Sequence, residues 1–218
     1  MTLQAVIFDL DGVLIDSEGV WNSVREQVVR ERGGAWRADA TRAMMGMSSP
    51  EWSRYMHDTL GVRLTPAEIA AEVVARMEER YSAGAPLLDG ARDAVTGLAS
   101  RLPLGVASSA NRRLIELVLD ETGLRASFAT VVSAEEVAEG KPAPDVYLEA
   151  ARRLGADPSR CAAVEDSTNG LRAAAAARML VVAVPNREYP PTPEALALAG
   201  VAIGSLRELR LGLLCGRA

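Results

Sequence analysis

The chain opens with a short, largely apolar run, Leu3 to Phe8 (LQAVIF), that stops at once on two acids in Asp9-Leu10-Asp11-Gly12. A stretch this short and this continuous reads as a strand buried on both faces, the kind that parallel sheets use. Three similar segments recur far downstream: LGVAS (Leu104 to Ser108), CAAVED (Cys161 to Asp166) and LVVAV (Leu180 to Val184). Two weaker ones, ATVVS (Ala129 to Ser133) and VAIG (Val201 to Gly204), extend the set. Helical patterns such as ARDAVTGLASR, NRRLIELVLDETG and PDVYLEAARRLG lie between them. Strands alternating with helices predict βαβ units, hence an α/β fold with a mostly parallel sheet covered on both faces.

Residues 17–83 break the alternation, with helical patterns and no convincing strand. In TPAEIAAEVVARMEERYSAG, Thr65 suits an N-cap, Pro66 the first helical position, and Glu68 completes a capping box. Ile69, Val73 and Met77 then share one face. Trp52, Tyr55 and Met56 mark a second amphipathic helix, and Val20, Val24 and Val28 a third. Stripes of this kind pack on one another. Residues 17–83 are therefore expected to form a small all-helical module inserted after the first strand, with 1–16 and 84–218 as a discontinuous α/β core. The connections fall after Val13 and at Gly84-Ala85-Pro86. The alanine run in LRAAAAARML is a helix whose small side chains allow close approach to a sheet.

A chain of 218 residues can bury one such core and a modest insertion. The net charge of −5, without a long basic tract, argues against a nucleic-acid partner. No segment is long and apolar enough for a membrane span, and the residues from Met1 into the first strand show no charged segment followed by a long hydrophobic stretch that would read as a signal peptide. Cys161 and Cys215 lie far apart and form no CxxC pattern, which suits a reducing compartment and gives no zinc signature. A cytoplasmic location is expected; the oligomeric state stays open, with a monomer favoured since nothing indicates a stable partner. An anionic substrate would need a local positive site.

Side chains alternate along a strand, so Asp9 and Asp11 point to one side and Leu10 to the other. Open α/β sheets bind ligands at the carboxyl ends of their strands. A D-G turn closing a hairpin accounts for the same residues about as well. The other strand ends carry polar groups too: Ser108 and Ser109 after the second strand, Lys141 in EGKPAPD, and Glu165 and Asp166. Singly, each has an ordinary explanation as a helix cap or a solvated loop residue. Together they describe one site. Clustered carboxylates repel unless a cation joins them, and oxygen ligands suit Mg²⁺. Ser108 and Ser109, ahead of the helix at Asn111, and Lys141 offer donors and positive charge to a phosphate. Carboxylate attack on phosphorus gives an aspartyl phosphate. Asp9, on the strand end, is the candidate nucleophile, and Asp11 the candidate acid/base. His57, the sole histidine, reads as an ordinary helix residue, so no Ser-His-Asp triad forms unless it crosses to the core. Cys161 is expected to be buried and inert, and neither a Walker A pattern nor a GxGxxG fingerprint is present.

The set FDLDGVLIDSE, VASS, EGKPAPDVY and VEDSTNG, in this order, resembles the haloacid dehalogenase superfamily, and within it the β-phosphoglucomutase-like phosphatases with a small helical cap. The resemblance covers nearly the whole chain. It implies a Rossmann-like sheet and a cap that closes over the substrate. It also implies Asp9 as nucleophile, Asp11 as acid/base, and Ser108 and Lys141 as partners of phosphate and aspartate. Mg²⁺ would be held by the Asp9 carboxylate, the Asp11 carbonyl and Asp166, with Glu165 direct or through water.

Asp11 argues against dehalogenase chemistry, which needs no protonated leaving group. A receiver-like signalling module also clusters acids, a hydroxyl and a lysine, but has no need of a helical insertion. The mutases of this group carry a histidine where Trp21 stands and an arginine in the cap loop where Ser49 stands. A phosphatase is therefore expected, with a β-phosphoglucomutase-type mutase as the alternative. Small phosphorylated metabolites, sugar phosphates first, are the expected substrates, because a closing cap excludes large partners. Glu18 and the loop Gly46 to Ser49 are the cap parts expected to face the site, while Trp21 and Trp52 are expected in the cap's own core.

Overall fold

In the computed structural model, which describes residues 2–216, all six expected strands form: β1 (Ala5–Phe8), β2 (Leu104–Ser108), β3 (Thr130–Ser133), β4 (Cys161–Glu165), β5 (Leu180–Ala183) and β6 (Val201–Ala202). Every pairing is parallel and the order is β3-β2-β1-β4-β5-β6. This is the Rossmann-like α/β sheet that the motif resemblance implies. VAIG contributes only two residues, at an edge where one neighbour alone holds the strand. Phe8 aligns with Val106 of β2 and with Val164 of β4, so the carboxyl ends of the three central strands lie level. Strand order reverses beside β1, and that switch point is where such sheets open a crevice.

The chain leaves β1 through a tight loop. Gly12, at φ +74°, donates its N–H to the Ile15 carbonyl at 2.9 Å. Four helices follow: α1 (Glu18–Glu31), α2 (Ala40–Met44), α3 (Ser49–Asp58) and α4 (Pro66–Ser82). The capping box of α4 forms as its sequence predicts, with Thr65 N–H donating to Glu68 Oε2 at 2.8 Å. Only α2 lacked a sequence signal, since five residues are too few to show a period. The chain enters and leaves this layer through a paired ribbon. Asp16 N–H donates to Pro86 O at 2.8 Å, and Leu88 N–H to Leu14 O at 2.9 Å.

The sheet is then completed by α5 (Ala91–Ala99), α6 (Arg112–Glu121), α7 (Asp145–Arg153) and α8 (Thr168–Ala176), with short α9 (Pro193–Leu196) and α10 (Leu211–Cys215) near the end. Alternation along the strands divides the core. Val6, Phe8, Val106 and Val164 join the side chains of α5, α6 and the helical layer in one apolar cluster. Ala5, Ala107, Ala163 and Ala183 face the alanines of α7 and α8 in the other. Small residues on both sides of the second interface let those helices lie close to the sheet, which accounts for the alanine run.

Candidate active site

Asp9 follows β1 directly, and its N–H still donates to the Val164 carbonyl at 3.0 Å. Its carboxylate is therefore fixed by the ladder. Lys141 arrives on the loop between β3 and α7, a crossover rather than a strand end. Its Nζ lies 2.8 Å from Asp9 Oδ1 and 2.6 Å from Glu165 Oε1, in a slot where the lysine is 3% exposed. Tyr147, on α7, donates its hydroxyl to the same Glu165 oxygen at 2.7 Å. The other Glu165 oxygen faces the Asp166 and Ser167 N–H groups. Glu165 is thus wholly enclosed by donors.

Asp9, Glu165 and Asp166 offer carboxylate oxygens within 4.8 Å of one another, and all three residues are buried. Burial pushes the Asp9 carboxyl well above the ordinary range; Lys141 pulls it back down, while Glu165 and Asp11 push it further up. Asp166 is raised for the same first reason, reinforced by Glu165 and Asp9. Burial alone would depress Lys141, but the two carboxylates outweigh it and hold its pKa above the usual lysine value. One ammonium cannot neutralise three acids. Among the described residues none donates a hydrogen bond to the Asp166 carboxylate, which is 2% exposed. A Cβ at Gly12 would lie 2.0 Å from Asp166 Oδ2, so only glycine lets the turn after Asp11 approach that oxygen. An all-oxygen donor set with an undonated buried carboxylate fits a hard divalent cation.

The expected site residues converge. Asp9, Asp11, Glu18, Ser108, Ser109, Lys141 and Asp166 line one cavity between the sheet and the helical layer, and Glu165 lies just behind it. The Asp11 carboxylate stands apart from the acidic trio and accepts a hydrogen bond from Trp21 Nε1 at 2.8 Å. Ser108 Oγ accepts from Ala110 N–H at 3.0 Å, leaving its own proton to donate. Ser109 also lines the cavity, and its hydroxyl donates to the Gly46 carbonyl at 3.1 Å, tying the helical layer to the core. Trp21 and Trp52 are buried as expected, yet both also line the cavity. His57 sits on α3 with Nδ1 against the Val62 and Leu64 carbonyls, away from the site.

Sequence reasoning did not single out Tyr147, Gly170 or Arg25. Gly170 has a plain steric reason, because a Cβ there would fall 1.9 Å from Glu165 Cδ. Arg25 had a readable signal, a charge set within the apolar stripe of α1 beside Val24, Val28 and Val29.

Fold and site together define a hydrolytic enzyme on a Rossmann-like sheet. A family model for haloacid dehalogenase-like hydrolases matches residues 3–178, and the chain belongs to that family. It is 36% identical over 224 aligned residues to hexitol phosphatase B of Escherichia coli (strain K12), covering 95% of this chain and 94% of that protein. Identity to a fructose-1-phosphate phosphatase of the same organism is 32%, covering 82% and 95%. The fold matches a crystal structure of β-phosphoglucomutase from Clostridium difficile at a TM-score of 0.86 and 22% identity, covering 98% of this chain and 96% of that one.

Proposed function

We propose that this protein is a Mg²⁺-dependent phosphatase of small phosphorylated metabolites, sugar phosphates in particular, acting through an aspartyl phosphate on Asp9. The observation that carries the reading is the placement of two carboxylates in one cavity with opposite surroundings. Asp9 is pinned by Lys141 within the acidic trio, whereas Asp11 is held apart by the indole of Trp21. These surroundings support the first as the nucleophile and the second as the carrier of protons.

In the first step an Asp9 carboxylate oxygen forms a bond to phosphorus, the ester P–O bond breaks, and the leaving oxygen takes its proton from the Asp11 carboxyl. In the second, the Asp11 carboxylate takes a proton from water, the water oxygen bonds to phosphorus, and the bond to Asp9 breaks, releasing inorganic phosphate and restoring both side chains. Lys141 balances the charge of Asp9 before attack, and Ser108 and Lys141 offer donors to the phosphoryl oxygens. Mg²⁺, held by Asp9, Asp166 and the Asp11 main-chain carbonyl, with Glu165 direct or through water, would supply positive charge to the phosphoryl group. Residues 17–83 serve as the cap and residues 1–16 and 84–218 as the core. The loop from Gly46 to Ser49 and Glu18 belong to the cap's contribution to substrate choice.

The test is phosphate release from a panel of sugar and polyol phosphates with Mg²⁺ and with chelator, plus β-glucose 1-phosphate with a bisphosphate primer. Net Mg²⁺-dependent release from the panel, abolished in Asp9→Asn, is expected. Glucose 6-phosphate accumulating without release would establish the mutase instead.

A further inference from the structure

Arg25 is a buried cation that the phosphoryl chemistry does not use. Glu18, Trp21 and Arg25 lie at i, i+3 and i+7 on one face of α1, and all three line the active-site cavity. Arg25 is 5% exposed. Its guanidinium lies over the Trp21 ring at 4.6 Å and over the Trp52 ring at 5.1 Å, so two indoles flank it. Its Nε has no hydrogen-bond partner, and among the described residues no carboxylate forms an ion pair with it. Burial draws its pKa down to about 10, with Glu18 pulling in the opposite sense. Glu18 in turn is raised to about 7, by burial first and against the pull of Arg25.

A buried guanidinium with unused donors is costly unless a ligand meets it. Two kinds of group could do so, an anion or a set of hydroxyls. Four carboxylates, Asp9, Asp11, Glu18 and Asp166, line the cavity against two cations, Lys141 and Arg25, and the transferred phosphate brings further negative charge. A second anion would stand beside Glu18. Hydroxyls, each both donor and acceptor, match a guanidinium on one side and a carboxyl on the other.

We infer that Arg25 and Glu18 form the subsite that reads the non-reacting end of the substrate, and that this end is an uncharged polyol. The inference rests on the phosphatase reading and gives that site its substrate class. Arg25 donates to hydroxyl oxygens, Glu18 accepts from hydroxyl protons, and the indoles of Trp21 and Trp52 hold the guanidinium edge toward the cavity.

The experiment compares wild type with Arg25→Met and Arg25→Lys on three esters: sorbitol 6-phosphate, gluconate 6-phosphate and ethyl phosphate. Wild type is expected to favour sorbitol 6-phosphate over gluconate 6-phosphate in kcat/KM. Arg25→Met is expected to lower kcat/KM for sorbitol 6-phosphate by about 10- to 100-fold more than for ethyl phosphate, which has no far end to read. Arg25→Lys should restore part of that difference. Equal losses on both esters would reduce Arg25 to a packing role, and a preference for gluconate 6-phosphate that disappears in Arg25→Met would establish an anion subsite; either overturns the inference. A binding titration followed by tryptophan fluorescence in the Asp9→Asn background, with sorbitol 6-phosphate as ligand, keeps the test independent of turnover. There Arg25→Met should weaken binding about 10-fold or more, and unchanged affinity contradicts the subsite even if no ester is hydrolysed. Failure of all three esters to release phosphate in wild type would instead count against the phosphatase.

Discussion

Lys141 is the only lysine in the chain; apart from His57, every other basic side chain is an arginine. The reason lies in the slot it fills. A single ammonium nitrogen bridges Asp9 and Glu165 at 2.8 and 2.6 Å, a geometry for a compact point charge and not for a planar fork. Lys141→Arg is therefore expected to lower kcat/KM by about 10²-fold or more, on the scale of losing a placed donor at a phosphoryl centre. Activity within twofold of wild type would contradict that geometry. Asp11→Asn, which keeps a partner for Trp21 but cannot shuttle a proton, should cost about 10²- to 10⁴-fold in turnover. The two thiols make a separate test. Burial pushes the Cys161 thiol up to about 11, whereas Cys215 is exposed. At pH 8 a disulfide reagent should titrate one thiol quickly and the second only after denaturation.

At the scale of elements, much of the site depends on glycines placed against carboxylates. Gly170, in the first turn of α8, leaves room for the Glu165 side chain. Gly170→Ala would force Glu165 off Lys141 and Tyr147, and should lower stability by about 1–3 kcal/mol, as overpacking does, together with most of the activity. Urea denaturation and phosphate release on the same variant check both. Strands β1, β2 and β4 were legible because both faces are buried, so each reads as a short apolar run ending in a polar group. Asp9, Asp11, Ser108, Lys141, Glu165 and Asp166 could be named from those endings. Tyr147 could not, because its hydroxyl meets Glu165 on the α7/α8 face of the sheet, and the spacing of two separate βα units carries no trace of that contact. Arg25 shows the same limit: its place in an apolar stripe was visible, but not that the stripe opens on the cavity. The position of Ser109 after β2 was legible, but not the bond its hydroxyl gives to the Gly46 carbonyl across the interface.

For the molecule as a whole, the buried acids set how stability responds to pH. Asp9, Asp166 and Glu18 all have raised values in the folded protein, Glu18 to about 7. Between about pH 4, where free carboxyls lose their protons, and about pH 7, the unfolded chain binds fewer protons than the folded one. The contribution of these groups to stability is thus fully present at low pH and declines as pH rises through that window. In chelator, the urea midpoint is expected to fall from pH 5 to pH 7.5. Millimolar Mg²⁺ should offset the fall, because a cation bound to the ionised trio favours the native state by mass action. Glu18→Gln should remove part of the slope. A midpoint that rises with pH in chelator would show that the acids are not held as described. All of this converges on Asp9, and the most direct measurement is to quench the enzyme during turnover of a ³²P-labelled sugar phosphate and map the label after trypsin. Label that hydroxylamine removes, on the peptide ending at Arg25 and absent from Asp9→Asn, is the predicted result. Label on any other residue, or undiminished turnover in Asp9→Asn, would contradict it.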